Sequence, residues 1–268
     1  ELAAFQTRTS AVRIAPPDRR MRLAQELIAS EGMPPATYTT ALALLLLLRD
    51  CVETTSDWTV VLAFVQSLPQ MFADEPEIRE IRAFAAAQSG DNLQAIDELE
   101  TLIEVAGRTP ERLGLLGSRY KRLINASASE REKRQALDKA VECYEHGMRL
   151  DLNNYYCSSN LPRLYRARAS AVDEKRARST LRLVIAACER ARVLNVADEW
   201  LRPTLLAAAF DLGDPDLAER LADDVRSEGH AAWKVSSLLG DCEASLRQVS
   251  DAAKRARLSA VIDRIKAS

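Results

Sequence analysis

The 268-residue sequence predicts an all-α fold, a right-handed solenoid of antiparallel helix pairs with about 12–13 helices in one array over residues 1–268. Three observations carry this reading. Helical hydrophobic periodicity runs nearly from end to end and is interrupted at short intervals. Glycine and proline are scarce, at 9 and 10 residues, fewer than the turns of a sheet protein this long require. No glycine- or proline-rich linker divides the chain, which suits an array in which each helix pair leaves an apolar face that its neighbour covers.

In chain order, helices are expected over 17–31, 35–54, 56–68, 76–88, 91–106, 110–125, 130–150, 155–170, 173–193, 197–212, 214–228, 230–249 and 251–266. The clearest breaks are Gly90-Asp91, Thr109-Pro110, Asn153-Asn154 and Gly213-Asp214-Pro215. Each supplies a helix stop or start: a glycine past a helix end, a capping side chain, or a proline in the next first turn. The most apolar run, Ala41 to Leu48, is too short to span a bilayer, which takes about 20 residues. It reads as a buried core helix.

The helices carry a recurring pattern. Ala95 with Leu99, Ala140 with Tyr144, and Ala218 with Ala222 each place a small residue and a second packing residue four positions on. That is the second-helix pattern of a tetratricopeptide repeat, in which a small residue lets the paired helix approach. Leu113, Leu116, Gly117, Tyr120 and Ile124 form one packed face at helical spacing. The match is best over 76–250; residues 1–75 form divergent helices and 251–268 a C-terminal helix. The sequence begins at Glu1, and a fragment of a longer protein is the expectation.

Net charge is −2, but unevenly spread. Residues 1–107 carry 8 basic and 16 acidic side chains, residues 108–192 carry 19 and 10, and residues 193–268 carry 10 and 13. The middle block is therefore at +9 between two acidic flanks. Five widely spaced cysteines (Cys51, Cys143, Cys157, Cys188, Cys242) offer no C-x-x-C pair, so they read as small buried apolar residues in a reduced, cytoplasmic setting. No metal site, cofactor or membrane segment is implied.

Residues 110–165 hold a more specific signal. Gly117-Ser118-Arg119-Tyr120-Lys121 is followed by Ala140, Tyr144 and Gly147, then by Tyr156 and Asn160-Leu161. This succession resembles the TRAF-binding central region of the apoptosis signal-regulating kinases and similar bacterial helical regions. The resemblance implies a tetratricopeptide-like regulatory scaffold that binds partners and controls an attached effector. It implies no kinase activity, because the glycine-rich loop and the catalytic-loop signature are both missing. Ser158 stands where the family favours glycine, and Pro162, directly after Leu161, is expected to move or kink the helix start.

No catalytic residue is expected. His146, beside Glu142 and Glu145, and His230, at an expected helix start, both read as surface or capping residues. The candidate partner-binding residues are Arg112, Arg119 and Arg122 on one helix, and Asn160, Arg163 and Arg166 on another. First helices of tetratricopeptide pairs line a concave groove in that architecture. Arginines there would receive an acidic protein or peptide, or a small anionic ligand, through bidentate hydrogen bonds. A small-anion or nucleotide sensor controlling an effector is the alternative to a protein-binding scaffold. Nucleic acid ranks last, because aromatics make up only 5% of the chain and fall mostly at packing positions.

Overall fold

The computed structural model describes residues 2–229 and 231–267; His230 lies outside the described residues. Fifteen α-helices, one 3-10 turn and no strand occur among them. In order these are α1 (Leu2–Ile14), α2 (Pro17–Glu31), α3 (Tyr38–Asp50), the 3-10 turn Thr55–Asp57, α4 (Trp58–Gln66), α5 (Gln70–Ala73), α6 (Pro76–Gln88) and α7 (Asn92–Ala106). There follow α8 (Pro110–Ala126), α9 (Glu130–Leu150), α10 (Tyr155–Arg168), α11 (Asp173–Val193), α12 (Leu201–Leu212), α13 (Pro215–Glu228), α14 (Ala232–Leu246) and α15 (Ala252–Lys266). All thirteen expected helices are present, with ends shifted by a few residues. The chain divides into two compact units, residues 1–107 and 108–268.

The expected breaks are built from the capping and stop residues named above. Asp91, Thr109 and Asp214 are N-caps whose side chains accept the N–H groups of Gln94, Arg112 and Leu217 at 3.0–3.1 Å. Asn154 accepts the N–H of Tyr156 at 2.9 Å. Each such cap contributes roughly 1 kcal/mol by satisfying a donor that the helix itself cannot. Gly213 ends α12 at φ +62°, a left-handed conformation that glycine adopts without steric cost.

In the first unit, α2, α3, α4, α6 and α7 pack each on the next. The apolar run is the core helix expected: Ala41, Leu44, Leu45, Leu47 and Leu48 are all buried in α3. Trp58 at the start of α4 is fully buried and meets Phe84 edge-on, with ring centroids 5.1 Å apart. Ala95 and Leu99 are both fully buried in α7, as the repeat pattern requires.

In the second unit α8 packs on α9, α9 on α10, α10 on α11, and α12 against both α13 and α14. Small residues set these approaches. A side-chain carbon on Gly117 would lie 3.0 Å from the Tyr144 ring, and one on Gly114 would run into the ring of Tyr156. One on Gly147 would run into the Cys157 sulfur. Ala140 and Tyr144 are fully buried, and the Tyr144 and Tyr156 rings meet edge-on at 6.4 Å. Ala218 and Ala222 are likewise fully buried in α13, in a cluster with Leu206, Phe210 and Leu258. All five cysteines are buried and unbridged. Burial pushes the Cys51 thiol up to about 11.

Pro162 does not move the start of its helix. α10 begins at Tyr155, well ahead of it, and runs on to Arg168 with Pro162 buried in its interior. Proline costs the helix one N–H and presses on the carbonyl four residues back. That carbonyl belongs to Ser158, whose small side chain turns onto the Tyr155 carbonyl at 3.3 Å.

The corner between α10 and α11 is held by Asp173. Its carboxylate accepts two hydrogen bonds from Arg168, at 2.9 and 2.7 Å, and one from the Ser170 N–H at 3.0 Å. The Arg168 pair, followed by the Ser170 contacts, holds the Asp173 carboxyl well below the usual carboxylate range. An aspartate ionises near 3.9 in an unfolded chain, so this stabilisation is complete above that pH and is lost as pH falls towards the lower folded value. Asp173→Asn should therefore lower stability by about 1–2 kcal/mol at neutral pH. It should also flatten the fall in stability below about pH 4. Denaturant titrations of both proteins at a series of pH values check this.

Candidate functional site

The predicted site residues fall on α8 and α10, and the structure sorts them by burial. On α8, Arg112 and Arg119 are buried and Arg122 is exposed. The Arg119 guanidinium donates from Nε and Nη2 to the Ser118 hydroxyl, at 3.1 and 2.8 Å. Burial, and next the charge of Arg122, bring its pKa down to about 10. It remains a cation at neutral pH.

On α10 the candidate residues are engaged within the protein. Arg163 is buried, with its guanidinium shared between two carboxylates: Nη1 donates to Asp211 at 2.7 Å, and Nη2 lies 3.1 Å from Asp241. Arg166 donates from Nη1 to the Asp211 carbonyl at 3.0 Å and from Nε to Glu174 at 3.2 Å. Asn160 is also buried, and its side-chain carbonyl accepts Lys121 Nζ at 2.8 Å. The same ammonium reaches Asp241 at 3.0 Å, and the Ser245 hydroxyl donates to Asp211 at 2.7 Å. These contacts form one polar network, buried at Arg163, Asp211 and Ser245, that ties α8, α10, α12 and α14 together.

The two carboxylates respond in opposite directions. Burial pushes the Asp211 carboxyl up, and Arg163 offsets this only in part. Burial also raises that of Asp241, but Arg163 and Lys121 outweigh it, and its pKa stands below the usual value. Reversing Arg163 would place a third carboxylate beside the buried Asp211 and the half-buried Asp241. Charge reversal at Arg163 therefore cannot leave the melt nearly unchanged, as a solvated face would have allowed.

The structure brings the motif residues together. Gly117, Ala140, Tyr144, Gly147, Tyr156 and Leu161 pack the seam of α8, α9 and α10, Tyr120 accepts Lys139 Nζ at 2.8 Å, and Lys121 bridges to Asn160. The motif is thus largely a packing signature. Sequence reasoning missed Asp211, Asp241 and Ser245. The visible signal for Asp211 was a lone carboxylate within the apolar run Leu205 to Leu212.

Helix pairs with small-residue seams and capped breaks define an all-α, tetratricopeptide-like protein. Residues 57–165 match the family model described as Tetratricopeptide Repeats-Sensor. No curated protein matches the chain. Solved structures share the fold. One is TTC0263, a thermophilic TPR protein of Thermus thermophilus, at 15% identity and TM-score 0.57, covering 78% of this chain and 99% of that one. Another is the human IFIT1 dimer with PPP-AAAA, at 13% identity and TM-score 0.52, covering 92% of this chain and 54% of that one. At these identities the likeness is one of fold.

Among the described residues no helix is long and apolar enough to cross a membrane. The likeness shown is to tetratricopeptide repeat proteins as a class.

Proposed function

We propose that this chain is a regulatory module, and no enzyme, that binds an acidic protein or peptide partner through the basic block 108–192 and controls an attached effector in the cytoplasm. The observation that carries the reading is the match of residues 57–165 to a tetratricopeptide sensor family, overlapping the one segment with a strong positive charge. The resemblance of residues 110–165 to a TRAF-binding regulatory region supports the same role. Five buried, unbridged cysteines support the reducing compartment.

Arg163, Arg166 and Asn160 serve this reading as supports of the groove wall, because their polar atoms are bound internally. Arg122, exposed near the end of α8, is the residue of the set that would meet a partner. A positive field over one unit steers an anionic partner towards it, and salt screens that field. The Debye length falls from about 10 Å at 0.1 M to about 3 Å at 1 M. Affinity for a captured protein partner should therefore fall steeply across that salt range. Affinity that holds constant from low to high salt would contradict an electrostatic groove.

A further inference from the structure

A cavity of about 310 Å³ opens in the second unit between α9, α10 and α11, away from the network around Arg163. Three cations line it: Arg149 from α9, and Lys175 and Arg176 from α11. One carboxylate, Glu145, lines it with them and is already engaged. It accepts Arg149 Nη2 at 2.8 Å and the Tyr165 hydroxyl at 2.8 Å, and Arg176 Nη1 stands 3.7 Å away. The nearby Asp173 is taken up by Arg168 and lies 3.9 Å from Arg176. Three cations against one carboxylate leave the cavity wall at about +2.

Its polar groups are also in excess. The Lys175 ammonium and the hydroxyls of Ser179 and Thr180 have no side-chain partner among the described residues. Thr180 is only 4% exposed, so its hydroxyl has little access to water except through the cavity. Lys175 and Ser179 are exposed and Thr180 is buried, so three donors of differing exposure stand around one cavity, which suits a ligand with several acceptors.

We propose that this cavity binds the phosphate group of a small phosphate monoester. Such a group carries about −1.5 to −2 charge near neutral pH and presents three strong acceptor oxygens, which matches the charge and the open donors of the wall. Arginine offers a planar fork to phosphate and lysine a point charge. Met148 and the Tyr165 ring give the organic part of the ligand an apolar wall. The volume lies at the lower end of small-molecule sites, about 300–1,000 Å³, and is too small for a folded partner. This ligand class and this place both differ from the partner-binding surface at Arg122.

The test is calorimetric titration of the whole chain with inorganic phosphate and with glucose 6-phosphate, against chloride and glucose at matched ionic strength. Saturable binding of one phosphate per chain is expected, with glucose 6-phosphate binding at least as tightly and glucose not at all. The exposed pair Lys175→Gln with Arg176→Gln should weaken both phosphate ligands about tenfold or more, since each lost contact is a hydrogen bond to a charged group. Thr180→Val should weaken them as well, with its melt in chloride close to wild type. The proposal is overturned by non-saturating phosphate titrations, or by affinities in both variants equal to wild type. Either failure leaves the partner reading standing, because that one is measured by protein affinity at Arg122.

Discussion

Arg163→Ala should destabilise the protein by about 3–5 kcal/mol, because it leaves the buried Asp211 and the half-buried Asp241 facing each other with their shared cation gone. The geometry decides the size. Arg163 is 2.7 Å from Asp211 and 3.1 Å from Asp241, and both carboxylates sit where α10, α12 and α14 meet. Lys121 and Ser245 remain to neutralise part of the charge, so the loss stays within that range. Equilibrium denaturant unfolding of wild type and variant, both at pH 7, measures it. A cost under about 1 kcal/mol, the range of an exposed ion pair, would mean that the network is solvated in solution. Pairing Arg163→Ala with Asp211→Ala should recover part of the loss, since the unpaired charge is the larger source of the penalty.

Gly117→Leu should cost about 1–3 kcal/mol by overpacking the contact of α8 with α9. The first side-chain carbon alone would stand 3.0 Å from a ring that is itself fully buried and cannot swing into solvent. Gly117→Ala is the informative contrast. Alanine gains roughly 1 kcal/mol over glycine in a helix interior, which offsets the tighter contact. Thermal melts should therefore place alanine close to wild type and leucine well below it. Leucine melting with wild type would move the seam away from Gly117.

Most of the helical layout could be read from sequence because its signals are local. The breaks at Gly90-Asp91, Thr109-Pro110 and Gly213-Asp214-Pro215 are caps and stops whose partners lie within three or four residues. The two helices not anticipated lacked such signals. α1 buries only Thr9 and Val12 among its described side chains, so no apolar stripe stands out. α5 is one turn of four residues, held between Pro69 and Pro76. The helix expected from 197 begins instead at Leu201, after Asp198 turns back to accept the Trp200 N–H at 2.9 Å.

The site was harder to read because its partners are distant in sequence. Helical spacing correctly placed Arg163 and Arg166 on one helix. Spacing does not tell which element covers that face, and Asp211 lies 48 positions further on. Without those carboxylates in view, a basic helix face reads as open to an anionic partner. The motif of residues 110–165 carried a similar ambiguity. Gly117, Gly147 and Tyr144 recur in that pattern, and here they are close-packing residues, which sequence alone does not separate from binding residues.

Of the arginines on α8 and α10, Arg163 is buried between Asp211 and Asp241 and Arg122 is exposed, and our proposal gives the partner contact to Arg122. The most direct test is the affinity of a captured protein partner for Arg122→Glu, measured beside wild type at low salt with the melts of both recorded. The predicted result is a loss of tenfold or more in affinity, about 1.4 kcal/mol or more, with a melt close to wild type. Equal affinities for the two proteins would contradict this division and leave the basic block without a binding role.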